Sequence, residues 1–136
     1  MATIKTVYLG DLRTEAKHVQ SGNTIITDAP LDNNGRGEAF SPTDLVASAL
    51  GSCMMTIMGI IARKENIILD GTTFDITKIM TANPRKISEV IIHFSFPVLN
   101  LDDIQKNKLK NAALTCPVSL SLHPDIKQSV TFDFKD

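Results

Sequence analysis

Two cysteines, Cys53 and Cys116, are the residues of this chain best suited to covalent chemistry. Cys53 sits in SPTDLVASALGSCMMTIMGIIARKENI and Cys116 in NAALTCPVSLSL. Both stretches read as helix. The thiolate is the nucleophilic form of cysteine, so redox or covalent chemistry would run through these two sulfurs. The chain has no tryptophan and one tyrosine, which leaves little obvious ligand chemistry elsewhere. Two cysteines are too few for a structural zinc site, and no histidine is close in sequence to either.

The two thiols differ in local setting. Cys53 lies about three turns into its helix, beyond the reach of the N-terminal dipole. Burial alone would raise its pKa and leave it inert, so a reactive Cys53 needs a partner from elsewhere, an arginine first of all. Its plain alternative is a small buried hydrophobe. Cys116 precedes Pro117 and falls at a helix N-cap, where backbone N–H groups stabilise a thiolate. On that ground Cys116 is expected to be the more acidic thiol, its own plain alternative being a packing or turn residue.

Among the cations, Arg13 shares a strand face with Glu15 and Lys17, the pattern of a solvated charged face. Arg36 lies in the loop before the long helix and can bend toward its start. Glu38 either lies on the surface or orients an arginine. Asp44 is accounted for as a helix cap. His93 falls on the polar face of its strand, and His123 precedes Pro124 in a loop. His18 shares a face with Thr14 and Ala16, where a core, interface or functional role is open.

The positioning elements follow from periodicity and turn chemistry. Thr3 to Val7 reads as a strand, and Leu12 to Gln20 and Asn23 to Thr27 flank the hairpin signal Ser21-Gly22. DAPLDNNGRGEAF is a loop. Ser41 as N-cap, Pro42 at N1 and Asp44 at N3 announce a helix. From Leu45 to Ile61 nearly every position is apolar or small, so this helix is expected to be buried on most sides by sheet, helix or a second subunit. Thr72 to Thr81 alternates Phe74, Ile76 and Met80 on one face. Glu89 to Val98 alternates Val90, Ile92, Phe94 and Phe96. Leu101 to Leu114 is an amphipathic helix, Pro117 opens a further helical turn, and Gln128 to Phe134 is a strand. The order is that of an α+β domain.

The length of 136 residues suits one domain, 1–136. The net charge of −1 gives no basic excess, so neither nucleic acid nor an anionic membrane is an expected partner. MATIKTVYLG lacks the apolar core of an export signal. The longest apolar stretch, Ala47 to Ala62, is shorter than the ~20 residues of a membrane span. A cytoplasmic setting is expected, where a cysteine pair is redox-active or free rather than a structural staple.

SPTDLVASALGSC followed by TCPVSLSL resembles the OsmC/Ohr superfamily, and LGDLRTEAKHVQSGNTIITDAPLDNNGRGEAFSPTDL resembles its OsmC-like branch. The resemblance covers essentially the whole chain. It implies an intertwined homodimer in which a curved antiparallel sheet wraps long central helices, with active sites at the dimer interface. It implies further that Cys53 attacks a hydroperoxide, that Cys116 resolves the product to a disulfide, and that a dithiol, of lipoyl type in the better-known branch, restores both thiols, with no metal or bound organic cofactor needed. Arg13 corresponds to the family's thiolate-holding arginine, with Arg36 as runner-up. The family's peroxidases carry a glutamate directly after the helix-opening proline to orient that arginine. Here the position is Thr43. Three functions follow: a thiol-dependent hydroperoxide reductase; a dimeric stress-associated or ligand-binding protein that has kept the fold without efficient peroxide chemistry; or another thiol chemistry on a disulfide or persulfide.

Overall fold

The long helix α1, Pro42–Lys64, begins where local chemistry dictates. The Ser41 backbone N–H donates to Asp44 Oδ2 at 2.9 Å, and the Asp44 N–H donates back to Ser41 Oγ at 3.1 Å. This reciprocal pair satisfies two N–H groups that a helix start otherwise leaves without partners. Arg63 and Lys64 occupy the last turn, complementing the negative end of the dipole. Asn66 then takes a left-handed conformation, φ 57°, which reverses the chain.

The computed structural model describes residues 1–135. Before α1 run three strands, β1 (Ile4–Gly10), β2 (Arg13–His18) and β3 (Thr24–Asp28). After it come β4 (Thr73–Thr81), β5 (Lys86–Val98), α2 (Asp103–Leu114), α3 (Pro117–Ser121) and β6 (Lys127–Lys135). Contacts divide the chain into two compact units, Met1–Val46 and the remainder from Ala47.

The first unit is an antiparallel meander in the order β1-β2-β3. Gly10, Asp11 and Leu12 all have positive φ, which turns β1 tightly into β2. The register places Arg13 directly opposite Asp28. The loop after β3 folds back on the strands: the Asp28 N–H donates to the Phe40 carbonyl at 3.1 Å, and the Ala29 N–H to Leu12 at 3.1 Å. Gly35 permits that return, since a Cβ there would lie 1.8 Å from the Ala29 carbonyl oxygen.

The second unit holds a core shared by α1, β5 and α2. Ala47, Leu50, Met54, Met58 and Ala62 form one buried stripe of α1 at helical spacing. Val90, Ile92, Phe94 and Phe96 supply the buried face of β5, and Leu109 and Ala113 that of α2. Phe74, Phe94 and Phe132 are register partners across β4, β5 and β6, with ring centroids 5.1 and 5.5 Å apart. Such a row of aromatics favours one register over its neighbours.

Two expectations are revised. The sheet is not antiparallel throughout: β4 pairs antiparallel with β5, but β6 pairs parallel with β5. The chain between β5 and β6 passes through α2 and α3, a helical crossover long enough to bring a strand back in the same direction. Within the single chain, moreover, α1 is fully buried along one stripe and only half-buried beside it, at Cys53, Met55, Ile57 and Ile61, while Ser52, Thr56 and Ile60 are exposed. A third of its most apolar window is buried, and Ile60 is 47% exposed. By length and composition α1 would pass for a membrane span, as core helices of soluble proteins also do.

Gly51 lies beside the buried stripe where β4 comes close. A Cβ there would sit 2.6 Å from Ile76 Cδ1, 3.2 Å from Ile76 Cγ1 and 3.3 Å from a Phe74 ring carbon. Gly51→Val is expected to destabilise the protein by about 1–3 kcal/mol through overpacking. Gly51→Ala should cost less, because the Ile76 methyl can swing aside and alanine recovers up to ~1 kcal/mol of helix propensity. Denaturant melts of the two variants check the order, and a Gly51→Val protein as stable as wild type would contradict it.

Candidate functional site

Cys53 sits next to Met54 in sequence, so its side chain leaves α1 about 100° round the helix from Met54. It is half-buried and packs against the core. Cys116 is fully buried in that core. It caps α3 from an extended conformation, φ −69° and ψ 155°, and its Sγ accepts a hydrogen bond from the Ser119 N–H at 3.4 Å. Cys53 is near enough to influence the Cys116 thiol. The fold thus brings together two free thiols from distant parts of the sequence, one at the rim of the core and one inside it.

The expectation that its N-cap position makes Cys116 acidic is overturned. Burial pushes the Cys116 thiol above its ordinary range. The N–H groups of Ser119 and Val118 pull in the other direction, as the N-cap argument requires, but the hydrogen bond with Cys53 and the charge Cys53 would carry add to the upward shift. Desolvation outweighs the helix-end donors.

In the first unit, Arg13 is not part of a solvated face with Glu15 and Lys17. Its Nε donates to Asp28 Oδ1 at 2.7 Å and its Nη2 to Asp28 Oδ2 at 2.8 Å, a bidentate pair. Asp28 is buried, and the Arg13 side chain is 24% exposed. The Glu38 N–H donates to Asp28 Oδ2 at 3.2 Å, and the Glu38 carboxylate lies 3.4 Å from Arg13 Nη2. The hydrogen bonds from Arg13 hold the Asp28 carboxyl below its usual range against the opposing effect of burial. The same hydrogen bonds hold the guanidinium above its own ordinary value. Arg36 pairs instead with exposed Asp11 at 2.7 Å. The Thr43 hydroxyl is 3.3 Å from Ser41 Oγ.

The histidines stay local. His18 bonds Ser21, His93 bonds Thr131, and His123 lies 3.7 Å from Asp125. A groove of about 690 Å³ runs along the C-terminal half of α1, lined by Thr56, Gly59, Ile60, Arg63 and the following turn. Neither cysteine lines it. Among the described residues no cluster of three or more histidine, cysteine or acidic side chains is placed to hold a metal ion.

Asp28 is the functional candidate that sequence reasoning missed. Its one local signal is that it closes a β-rich run just before Ala29-Pro30, where an aspartate also reads as a turn former.

Residues 35–131 match the family described as OsmC-like protein. The chain belongs to that family. A crystal structure from Psychrobacter arcticus, of a protein described as an osmotic stress induced and detoxification response protein, is 57% identical to it. The match covers 97% of this chain and 96% of that one, with a TM-score of 0.93. An OsmC-like protein from Mycoplasma pneumoniae shares the fold at 18% identity and TM-score 0.79, over 98% and 96% of the two chains. An organic hydroperoxide resistance protein from Legionella pneumophila does so at 18% and 0.74, over 98% of each chain. No curated protein matches. The α+β architecture expected for an OsmC-like chain is therefore present.

The clamp in this OsmC-like protein has a pH signature. A carboxyl whose pKa is lowered by folding stabilises the native state above its unfolded value, about 3.9 for aspartate. That stability is lost as pH falls through the lower folded value. Below pH 4 the wild type should lose stability more steeply than Asp28→Asn, which has no such proton to take up. Thermal melts between pH 2 and about 6 check this; parallel curves for the two proteins would refute it.

Exposure also separates the thiols. One equivalent of an alkylating reagent should label Cys53 before Cys116, as read by peptide mass spectrometry. Preferential labelling of Cys116 would contradict the assignment of rim and interior.

Proposed function

We propose that this OsmC-like protein is a thiol-dependent hydroperoxide reductase in which Cys53 is the nucleophile and Cys116 the resolving thiol. The observation that carries the reading is the adjacency of a half-buried and a fully buried free thiol. A peroxide reaches the first from solvent, and the second is positioned to meet the oxidised product.

The cycle balances without metal or organic cofactor. The Cys53 thiolate donates an electron pair to the terminal peroxide oxygen. An S–O bond forms, the O–O bond breaks, and the departing alkoxide takes a proton to leave as alcohol. Cys53 is now a sulfenic acid. Cys116 gives up its proton and attacks the Cys53 sulfur; the S–S bond forms, the S–O bond breaks, and hydroxide leaves with that proton as water. A dithiol reductant then restores both thiols by two exchange steps.

Arg13 is the proposed cation for the Cys53 thiolate and the peroxide. Its bidentate hold on Asp28 supports that role, because a guanidinium fixed along one edge presents its remaining N–H groups in a set direction. The family glutamate is absent at Thr43, which favoured a non-catalytic reading. A buried carboxylate on Arg13, supplied by Asp28, weakens that reading. The naming of several fold relatives for organic hydroperoxide resistance points the same way. The half-buried Met55, Ile57 and Ile61 and the exposed Ile60 of α1 support a homodimer, and the cytoplasm is the proposed compartment.

The test is consumption of cumene hydroperoxide by the reduced protein with a lipoyl-type dithiol. Cys53→Ser should abolish turnover. Cys116→Ser should consume about one equivalent and then stall. Arg13→Ala should lower the rate roughly a hundredfold, the scale of a lost electrostatic stabiliser. If the wild type consumes neither this peroxide, nor tert-butyl hydroperoxide, nor hydrogen peroxide, the proposal fails.

A further inference from the structure

Cys116 depends on a support that none of the motif residues provides alone. Its Sγ takes a hydrogen bond from the Ser119 N–H. Ser119 is in turn held at two points by Gln128 of β6. The Ser119 hydroxyl donates to Gln128 Oε1 at 2.6 Å, and Gln128 Nε2 donates to the Ser119 carbonyl at 3.2 Å. The Ser119 hydroxyl has a single proton. The other acceptor near it, the Leu114 carbonyl, is 3.4 Å away, so the Gln128 bond is the shorter by far. Both side chains are partly buried, where such a closed pair is electrostatically stronger than in water. Gln128 itself is fixed by the sheet, standing opposite Val90 of β5.

A hydrogen-bonded ring therefore ties α3 to the sheet. Without it, α3 is five residues long and joined to α2 by a single residue, Thr115, plus its cap. A helix that short is not stable by its own propensity. Cys116, Val118 and Leu122 pack into the core, and the ring fixes the turn that carries the Ser119 N–H.

We infer that the Ser119–Gln128 pair is a positioning device for disulfide formation: it holds Cys116 Sγ against Cys53 and keeps the Ser119 N–H aimed at it while the S–S bond forms. The inference rests on the reading of Cys116 as the resolving thiol. Gln128 touches neither sulfur and no substrate. Its effect falls on the second chemical step and not on the first. In that step the Cys116 thiol loses its proton and its sulfur attacks oxidised Cys53, so a donor held in line with Sγ favours the charge that develops.

The experiment separates the two steps without needing peroxide. The reduced full chain is mixed with one equivalent of a chromogenic aromatic disulfide. Attack by Cys53 releases the first aromatic thiolate and leaves a mixed disulfide. Attack by Cys116 on the Cys53 sulfur releases the second and closes the internal disulfide. In Gln128→Leu the first phase should match wild type and the second should slow roughly tenfold, the scale of a lost hydrogen-bonded support. Ser119→Ala should do the same, and the double variant should be no slower than either single one, as expected of residues acting as a unit. Ser119→Thr, which keeps the hydroxyl, should restore the second phase. With cumene hydroperoxide as oxidant, Gln128→Leu should also accumulate Cys53 sulfenic acid, trapped by a dicarbonyl probe. A second phase at wild-type rate in both Gln128→Leu and Ser119→Ala overturns the inference. So does equal slowing of both phases with a lowered melting temperature, which is the mark of general loosening. Wild-type protein that completes both disulfide phases yet consumes no peroxide would count against the peroxidase reading alone, with the positioning role still judged by the second phase.

Discussion

A helix can bury only one stripe against one sheet face, and the stripe that α1 buries governs what both cysteines can do. Ala47, Leu50, Met54, Met58 and Ala62 face the alternating Val90, Ile92, Phe94 and Phe96 of β5 in a single core. A rotation of α1 by one residue would carry Cys53 to the place of Met54. The sulfur would then be sealed in the core, away from anything arriving from solvent. The packing instead keeps Met54 inside and Cys53 at the rim. Gly51 lets β4 close on the helix beside it, and the Phe74–Phe94–Phe132 row fixes the register of the sheet underneath. The exposure of Cys53 is in this sense a consequence of core packing one residue away.

At both places where charge matters burial opposes the charged form, and the strength of the partner decides the outcome. At Cys116 the donors of a helix start are present and favour the thiolate, yet desolvation is larger and the thiol is pushed up. At Asp28 the same desolvation opposes the charged form, but two hydrogen bonds from Arg13 outweigh it and the carboxyl is pushed down. The difference is the partner. A backbone N–H offers a fraction of a charge, whereas a guanidinium offers a whole one in a fork that fits the carboxylate. In the proposed cycle, an upward-shifted Cys116 also avoids competing with Cys53 for peroxide. The two shifts are thus compatible with different duties.

Features fixed by neighbours in sequence were legible before the fold was known. Ser41, Pro42 and Asp44 mark the start of α1 because a capping box spans only four residues. The alternation of β5 predicts its buried face because side chains on a strand alternate without regard to the rest of the fold. Features fixed by pairing were not legible. Nothing in the composition of β6 says that it runs parallel to β5, since that depends on the path of the chain through α2 and α3. The pairing of Asp28 with Arg13 exists only through the register of β2 on β3. The helix-cap position of Cys116 was legible from Pro117; its burial, which reverses the consequence, was not. Ser119 stood within the recognised motif, but Gln128 acquires a role only when β6 is laid beside α3.

The same distinction bears on the position where this chain departs from its family's peroxidases. Orienting an arginine requires a carboxylate at the right place, and any element that reaches that place will serve. In the resemblance that residue opens the helix; here the position is Thr43, engaged with Ser41 in the helix cap, and Asp44 is spent on the same cap. The carboxylate on Arg13 comes instead from the facing strand. Asp28 is the direct cross-strand neighbour of Arg13, so the hairpin that makes β2 and β3 also makes the clamp. Such a clamp needs no particular approach of the helix start to the strands, because it is complete within one meander. With a carboxylate on Arg13 supplied from the strand, a threonine at the helix opening does not by itself count against the proposed chemistry. A missing motif residue is therefore weak grounds for inferring a missing function until the charge it would have neutralised has been located.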